Sequence, residues 1–184
     1  MINIYEYLLS KKNQKINMIH ATDANVHDIV KNELDKLGHD ADLNHIDVSE
    51  VTNMNNLFNC CPMEMIRANL SQKYKDLNLD ISQWDVSNVK SMYAMFYGFE
   101  NFNCDISNWN VKSVKNMCYM FYDCKTFNQD ISNWNVGEVE NMINMFKKCK
   151  NFNKDISNWN VSNVKNYGIF NDCPIKEEYK PKFK

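Results

Sequence analysis

The sequence predicts an α/β solenoid, a stack of strand and short-helix units with a parallel sheet along one side and a helical cap at the N-terminal end. The first observation is a repeat. The heptapeptide DISNWNV stands at 105–111, 130–136 and 155–161, and the near copy DISQWDV stands at 80–86. A fixed period of roughly 20–50 residues is typical of stacked repeats. The second observation is that the spacing of apolar residues changes within each unit from that of a strand to that of a helix.

The first half of each unit predicts a short strand, because apolar and polar residues alternate there. Trp109 and Val111 alternate with polar neighbours, which is the period of a half-buried strand. The polar positions of the four copies would form a flat, neutral face of the sheet, which we call the amide face. It comprises Gln83, Asp85, Ser87, Asn108, Asn110, Lys112, Asn133, Asn135, Gly137, Asn158, Asn160 and Ser162.

We predict that the amide face binds a partner by hydrogen bonds. The alternative is that it is only the solvated side of the repeat. The predicted contacts are Asp85, Asn108, Asn110, Lys112, Asn133, Asn135, Asn158 and Asn160.

The second half of each unit predicts about two turns of helix. In the unit that begins at residue 105 the apolar residues at i, i+3, i+4 and i+7 lie on one face of such a helix; they are Val114, Met117, Cys118 and Phe121. Aromatic residues at equivalent positions should stack along the axis as an inward-facing structural ladder, in preference to stacking on sugars or bases. The ladder comprises Trp84, Trp109, Trp134, Trp159, Phe96, Phe121 and Phe146.

The repeat frame divides the chain into three regions. Residues 42–58 match residues 80–96 position for position at an offset of 38 instead of 25. The array would therefore hold five units over 42–173, with 13 inserted residues (38 − 25) around 60–78. Residues 1–41 would form a helical N-terminal cap: a short amphipathic segment at 5–9, then a helix with Asn25 as its cap, a stripe of four apolar residues and Gly38 at its end. The stripe comprises Ile29, Val30, Leu34 and Leu37. Residues 174–184 would be a charged tail.

The residues with reactive side chains predict no catalytic site, no cofactor and no metal. The seven cysteines are an odd number, and four of them share one repeat position, which favours core packing over metal or redox roles. These four are Cys61, Cys124, Cys149 and Cys173. The recurring aspartates are single carboxylates and favour turn formation over acid–base work. They are Asp80, Asp105, Asp130 and Asp155.

Charge and hydropathy exclude some partners. The chain has 21 basic and 23 acidic residues and a formal net charge of −2, so its overall field favours neither nucleic acid nor an anionic membrane. Its sequence has no apolar run of the length that a membrane span needs. The opening MINIYEYLLSKKNQK places lysines after a short apolar stretch, the wrong order for a signal peptide. A cytoplasmic location is therefore predicted, with the cell surface as the alternative.

The repeat unit resembles a known family. Ile106, Trp109, Val111 and Val114 have the L-x-x-L-x-L type of spacing, and the pattern FNxDISNWNVSNVKNMxxMFxxC is similar to the repeat of BspA-like leucine-rich-repeat proteins, which also occurs in many Mycoplasma lipoproteins. The resemblance covers about residues 42–173. It implies a right-handed leucine-rich-repeat-like stack without catalytic residues. Family members are adhesins or partner binders at bacterial surfaces, and they also occur in phages and mobile elements.

The predicted function is non-catalytic protein binding. The small size and the absence of a leader favour a phage or mobile-element protein that inhibits a host defence protein. A BspA-type surface adhesin and a structural module of a larger assembly are the alternatives. A hydrolase or metalloenzyme would need clustered titratable groups, which the repeat does not offer. The oligomeric state stays open, and end-to-end self-association is compatible with a stack of repeats.

Overall fold

In the computed structural model, the described residues are 18–60, 77–164 and 168–183. The predicted amphipathic segment at 5–9, and Cys61 with most of the predicted insertion, lie outside them. The division into a cap, a five-unit array and a tail stays a prediction.

The regular elements of the described residues are few, and all but the last lie within residues 19–80. Strand β1 (Ile19–His20) pairs in parallel with β3 (Ile46–Asp47), and β2 (Asp40–Asp42) pairs in parallel with β4 (Asn78–Asp80). Helix α1 (Val26–Leu37) lies between β1 and β2, and a short 3-10 helix (Glu177–Tyr179) lies near the C-terminus. Between β4 and the 3-10 helix, the described residues contain only turns, bends and isolated bridges.

The predicted fold class, an α/β solenoid with a leucine-rich-repeat-like parallel sheet and short helices, is therefore wrong. The described residues form one α-helix and two separate two-stranded sheets, with no sheet running along the repeats. Apart from the pairing of β2 with β4, parallel pairing among the described repeats is reduced to single residues at one position of each unit. These residues are Asn53, Ser91, Asn116 and Asn141.

Successive turns replace the predicted helices. The Met120 N–H donates to the Met117 carbonyl of its own unit at 3.2 Å, whereas the Phe121 N–H donates to the Met145 carbonyl of the next unit at 3.0 Å. Tyr119 and Asp123 have φ angles of 57° and 59°, in the left-handed region that an α-helix excludes. The helical spacing misled the prediction because a run of turns buries the same apolar positions from Val114 to Phe121.

Turns also replace the predicted strands. The Trp109 N–H donates to the Ile106 carbonyl at 3.1 Å, and the Val114 N–H donates to the Val111 carbonyl at 2.9 Å. These bonds close the backbone on itself, so no ladder joins neighbouring units in this half. Side chains make the connection instead: the Trp134 indole Nε1–H donates to the Ile106 carbonyl of the preceding unit at 3.2 Å. Alternating exposure therefore arises here without a sheet.

Consecutive units nevertheless lie against each other in register. Every second N–H of the turn segments donates to the following unit, as in the bonds from Met92 to Asn116 and from Met117 to Asn141 at 2.9 and 2.8 Å. The aromatic rings follow the same register. The ring centroids of Phe96, Phe121 and Phe146 are 5.6 Å apart from one unit to the next, with nearly parallel planes.

The core is aromatic. A second row, Phe102, Phe127 and Phe152, stacks beside the first at 3.9 to 4.3 Å between ring centroids. Burying one phenylalanine contributes roughly 1.5–3 kcal/mol. The seven residues of the predicted structural ladder are all buried, and the four tryptophans keep only 4–5% of their surface exposed.

Candidate functional site

The structure places the predicted amide face at the surface. All eight predicted partner contacts are exposed, and Ser87 and Gly137 of the same face are half-buried. The face lies on turns instead of strands, so its side chains are held by local bonds. Whether it binds a partner stays a prediction.

Several amide-face side chains stabilise the array itself. The Asn133 Nδ2 donates to the Ser107 carbonyl of the preceding unit at 3.0 Å, and the Asn158 Nδ2 donates to the Ser132 carbonyl at 2.9 Å. The Asn135 Oδ1 accepts the Gly137 N–H at 3.2 Å. An asparagine side chain has two donor hydrogens and an acceptor oxygen with two lone pairs, so a single bond of this kind uses only part of its capacity.

A cluster of tyrosines, which the sequence reasoning missed, lies on the turn segments. The Tyr97 and Tyr122 rings stack at 4.5 Å with an angle of 6°. Tyr119 joins them, with its ring centroid 6.1 Å from Tyr97 and 5.8 Å from Tyr122. Tyr93 meets Tyr119 edge to face at 6.0 Å and is 37% exposed. We call these four residues the tyrosine cluster.

Lysines of the next unit border the tyrosine cluster. The ammonium nitrogens of Lys147 and Lys148 lie 5.9 and 5.4 Å from the centre of the Tyr122 ring, within the range of a cation–π contact. The pKa of Lys148 is raised, chiefly by its hydrogen bond with Tyr122. Partial burial raises the pKa of the Tyr93 hydroxyl.

A departure from the repeat could have revealed the cluster in the sequence. Tyr97 and Tyr122 occupy equivalent positions in two units, where the first unit has Asn59 and the fourth has Lys147. The helical interpretation placed this position outside the apolar stripe, where a solvated residue is expected. The turn geometry instead brings tyrosines of two neighbouring units into contact.

The recurring aspartates form turns. The carboxylates of Asp105 and Asp130 each accept the N–H of the serine two residues later at 3.0 Å, and Asp80 and Asp155 do the same. Hydrogen bonds from Ser107 lower the pKa of Asp105, and hydrogen bonds from Ser132 lower that of Asp130. Carboxylates held in this way are poor general acids at neutral pH.

Cys124 and Cys149 of the shared repeat position are packed between units. The Cys149 thiol donates to the Phe121 carbonyl of the preceding unit at 2.9 Å, and the Cys124 thiol donates to the Phe96 carbonyl at 3.1 Å. Both side chains are buried, and burial raises the pKa of both thiols. A thiol with a raised pKa is a weak nucleophile and a weak metal ligand at neutral pH. Within residues 18–60, 77–164 and 168–183, no three side chains of the metal-binding types His, Cys, Asp and Glu come together.

In the part of the chain that the structure describes, no helix has the length and apolar character that a membrane crossing requires.

Comparison with known proteins gives one match. The model of the family described as "Mycoplasma protein of unknown function, DUF285" matches residues 25–63 and 63–178. None of the curated proteins and none of the solved structures matches the chain.

Proposed function

The chain belongs to the Mycoplasma protein family DUF285, and from this premise we propose that it is a non-catalytic module that binds another protein through the tyrosine cluster. The observation that carries the proposal is the contact among Tyr93, Tyr97, Tyr119 and Tyr122 at the surface of two neighbouring units. The amide face is the second candidate surface.

The composition of the cluster supports a protein partner. Tyrosine supplies a large rigid apolar area with a polar tip and loses little conformational entropy on binding, so it is enriched at the energetic centres of protein interfaces. Lys147 and Lys148 would form part of a polar rim around it. The stacked rings of Tyr97 and Tyr122 hold each other in place, so less ordering remains for the partner to bring about.

The proposal also covers the type of repeat within the family. We propose that the repeat is of the BspA-like type, whose members act as partner binders or adhesins. The favoured role is a phage or mobile-element protein that inhibits a host defence protein in the cytoplasm. A surface adhesin and a structural module of a larger assembly are the alternatives, and the identity of the partner decides among the three.

Affinity capture from a lysate of the host cell tests the proposal. The intact chain is the bait, and the variant Tyr97→Ser/Tyr122→Ser runs beside Asn110→Lys/Asn160→Lys on the amide face. We expect one stoichiometric protein that the tyrosine variant loses by about tenfold or more, since truncating an interface hot spot costs about 2 kcal/mol, while the amide-face variant keeps it. Thermal melts of both variants serve as controls for folding.

Three other outcomes count against the proposal. A partner that is lost only with the amide-face variant moves the site to that face. A partner that both variants keep moves it to another part of the chain. The absence of any stoichiometric partner contradicts the inhibitor role and favours the adhesin or the structural module.

A further inference from the structure

Three lysines of neighbouring units line one groove at the edge of the amide face. Lys90, Lys112 and Lys115 surround a volume of about 380 Å³, and Asn135, Gly137 and Glu138 complete its wall. Lys112, Asn135 and Gly137 belong to the amide face, whereas Lys90 and Lys115 lie outside it. The groove is therefore continuous with the predicted partner-binding surface.

The repeat register places two of these lysines at the same position of adjacent units. The Lys115 N–H donates to the Lys90 carbonyl at 2.9 Å, so these residues occupy equivalent positions on adjacent units. Like charges on adjacent rungs repel each other. In the next unit the same position is Glu140, whose N–H donates to the Lys115 carbonyl at 2.9 Å and whose carboxylate lies 3.5 Å from the Lys115 ammonium.

Only one of the three groove lysines is paired with a carboxylate among the described residues. Glu140 pairs with Lys115, but Lys90 and Lys112 take part in no ion pair among the described residues. Glu138 is the remaining carboxylate of the groove wall. An anionic group in the groove would face the ammonium groups of Lys90 and Lys112 and would form charge-assisted hydrogen bonds with them, which are stronger than neutral ones.

The residue at position 137 leaves space in the groove wall. The equivalent positions of the other units hold Ser49, Ser87, Lys112 and Ser162. A Cβ atom at Gly137 would lie 3.4 Å from the Asn135 Oδ1 and 3.6 Å from the Asn160 Nδ2, which is ordinary contact. A side chain is therefore tolerated there by the fold, and a bulky one would occupy part of the groove.

We propose that this groove binds the carboxylate side chains of an acidic segment of a partner protein. The inference rests on the proposed protein-binding function and names the chemistry of one contact. Charge complementarity selects an anionic occupant, because three lysines line the groove against the single carboxylate of Glu138 in its wall. The proposed protein-binding function makes that occupant a protein segment.

A defined peptide tests the groove without the natural partner. The probe is a fluorescent octapeptide of alternating Glu and Ser, and a peptide with Gln in place of Glu is the neutral control. We expect saturable binding of the acidic peptide that weakens as salt is raised. Its Kd should rise about tenfold in Lys90→Ala/Lys112→Ala, because two charge-assisted contacts are lost. The matched control Lys154→Ala/Lys182→Ala removes the same charge elsewhere and should leave the Kd nearly unchanged.

A steric variant gives a second readout. Gly137→Leu should weaken binding of the acidic peptide with an unchanged thermal melt, whereas Gly137→Ser, which introduces the residue of three other units, should retain it. The proposal is overturned if the Gln peptide binds equally, if both lysine variants lose binding to the same degree, or if an eight-nucleotide single-stranded DNA binds more tightly than the acidic peptide. It is equally overturned if no saturation is reached at millimolar peptide.

The two experiments distinguish a failure of the groove proposal from a failure of the proposed function. Capture of a tyrosine-dependent partner from lysate, with no binding of the acidic peptide, contradicts the groove and leaves the function standing. Binding of the acidic peptide at the groove, with no captured partner, supports the groove and contradicts the proposed function.

Discussion

Four aspartates begin the turns of the repeat, and their ionisation links stability to pH. The N–H groups of the following serines are at 3.0 Å from the carboxylates of Asp80, Asp105, Asp130 and Asp155. Hydrogen bonds from those serines are the largest cause that lowers the pKa of each aspartate. The sequence could predict this role, because an aspartate two residues before a serine needs only local backbone to form its bond.

The lowered pKa values predict how stability depends on pH. In the unfolded chain an aspartate has a pKa of about 4. Because the folded value is lower, the stabilisation is complete above the unfolded pKa and is lost as pH falls through the folded pKa. We expect the free energy of unfolding, measured by denaturant titration, to stay level down to about pH 5 and to decline below it. In Asp105→Asn/Asp130→Asn the decline should be shallower; an unchanged decline would show that other carboxylates cause it.

At the level of elements, the sequence predicts which residues are apolar and buried better than it predicts backbone conformation. Helix α1 lies where its apolar stripe predicts it, because its N–H groups bond within the segment. Even so, the Asn25 Oδ1 accepts the Thr22 N–H at 2.7 Å instead of capping the helix, and Leu37 of the predicted stripe is 44% exposed. In the repeats, every second N–H of the turn segments donates to a carbonyl of the next unit, 24 residues away in the bond from Phe121 to Met145. Spacing within one unit cannot reveal such partners.

The first unit needs a substitute for the unit that would precede it. The Lys90 N–H donates to the Thr52 carbonyl at 2.7 Å, but the Thr52 N–H has no earlier unit to meet. The Asp23 carboxylate takes this place and accepts the N–H groups of Thr52 and Asn53 at 2.7 and 3.0 Å. The hydrogen bond from the Thr52 side chain is the largest cause that lowers the pKa of Asp23.

Removing this carboxylate tests the end of the array. We expect Asp23→Ala to lower the free energy of unfolding by about 0.5–2 kcal/mol, the range measured when a side chain that caps backbone N–H groups is truncated. Denaturant titration measures the loss. The control is Glu50→Ala, which removes an exposed carboxylate and should have little effect. Equal losses in the two variants would contradict the role given to Asp23.

At the scale of the molecule, the repeat period places equivalent residues of successive units beside one another. This one register produces both the aromatic core and the pattern of side chains on the surface. The period could be read from the sequence, and it identifies equivalent positions correctly. The period does not determine whether the backbone within each unit of 25 residues is an extended strand or a series of turns. A sheet was therefore predicted where the backbone forms turns. The tyrosine cluster was missed for the same reason: Tyr93 and Tyr119 hold different repeat positions and meet only in the turn geometry.

This register also explains why a partner would bind at surface residues that differ from one unit to the next. Most buried positions hold the same residue type in successive units, because each aromatic ring stacks on the next at about the same distance. The exceptions include Ile46 at the tryptophan position of the first unit and Phe99 at the cysteine position of the second. Surface positions carry no such requirement. The tyrosines of two adjacent units and the lysines of the groove are therefore the positions where this chain distinguishes one part of its surface from another.

Amide hydrogen exchange of the chain, free and in complex with its captured partner, tests directly whether the tyrosine cluster is the binding surface. We expect the partner to slow exchange in residues 93–98 and 117–123, which carry the tyrosine cluster, and in the flanking residues 147–148. Slower exchange confined to the amide face, to α1 or to the C-terminal residues, with the tyrosine segments unchanged, would contradict it.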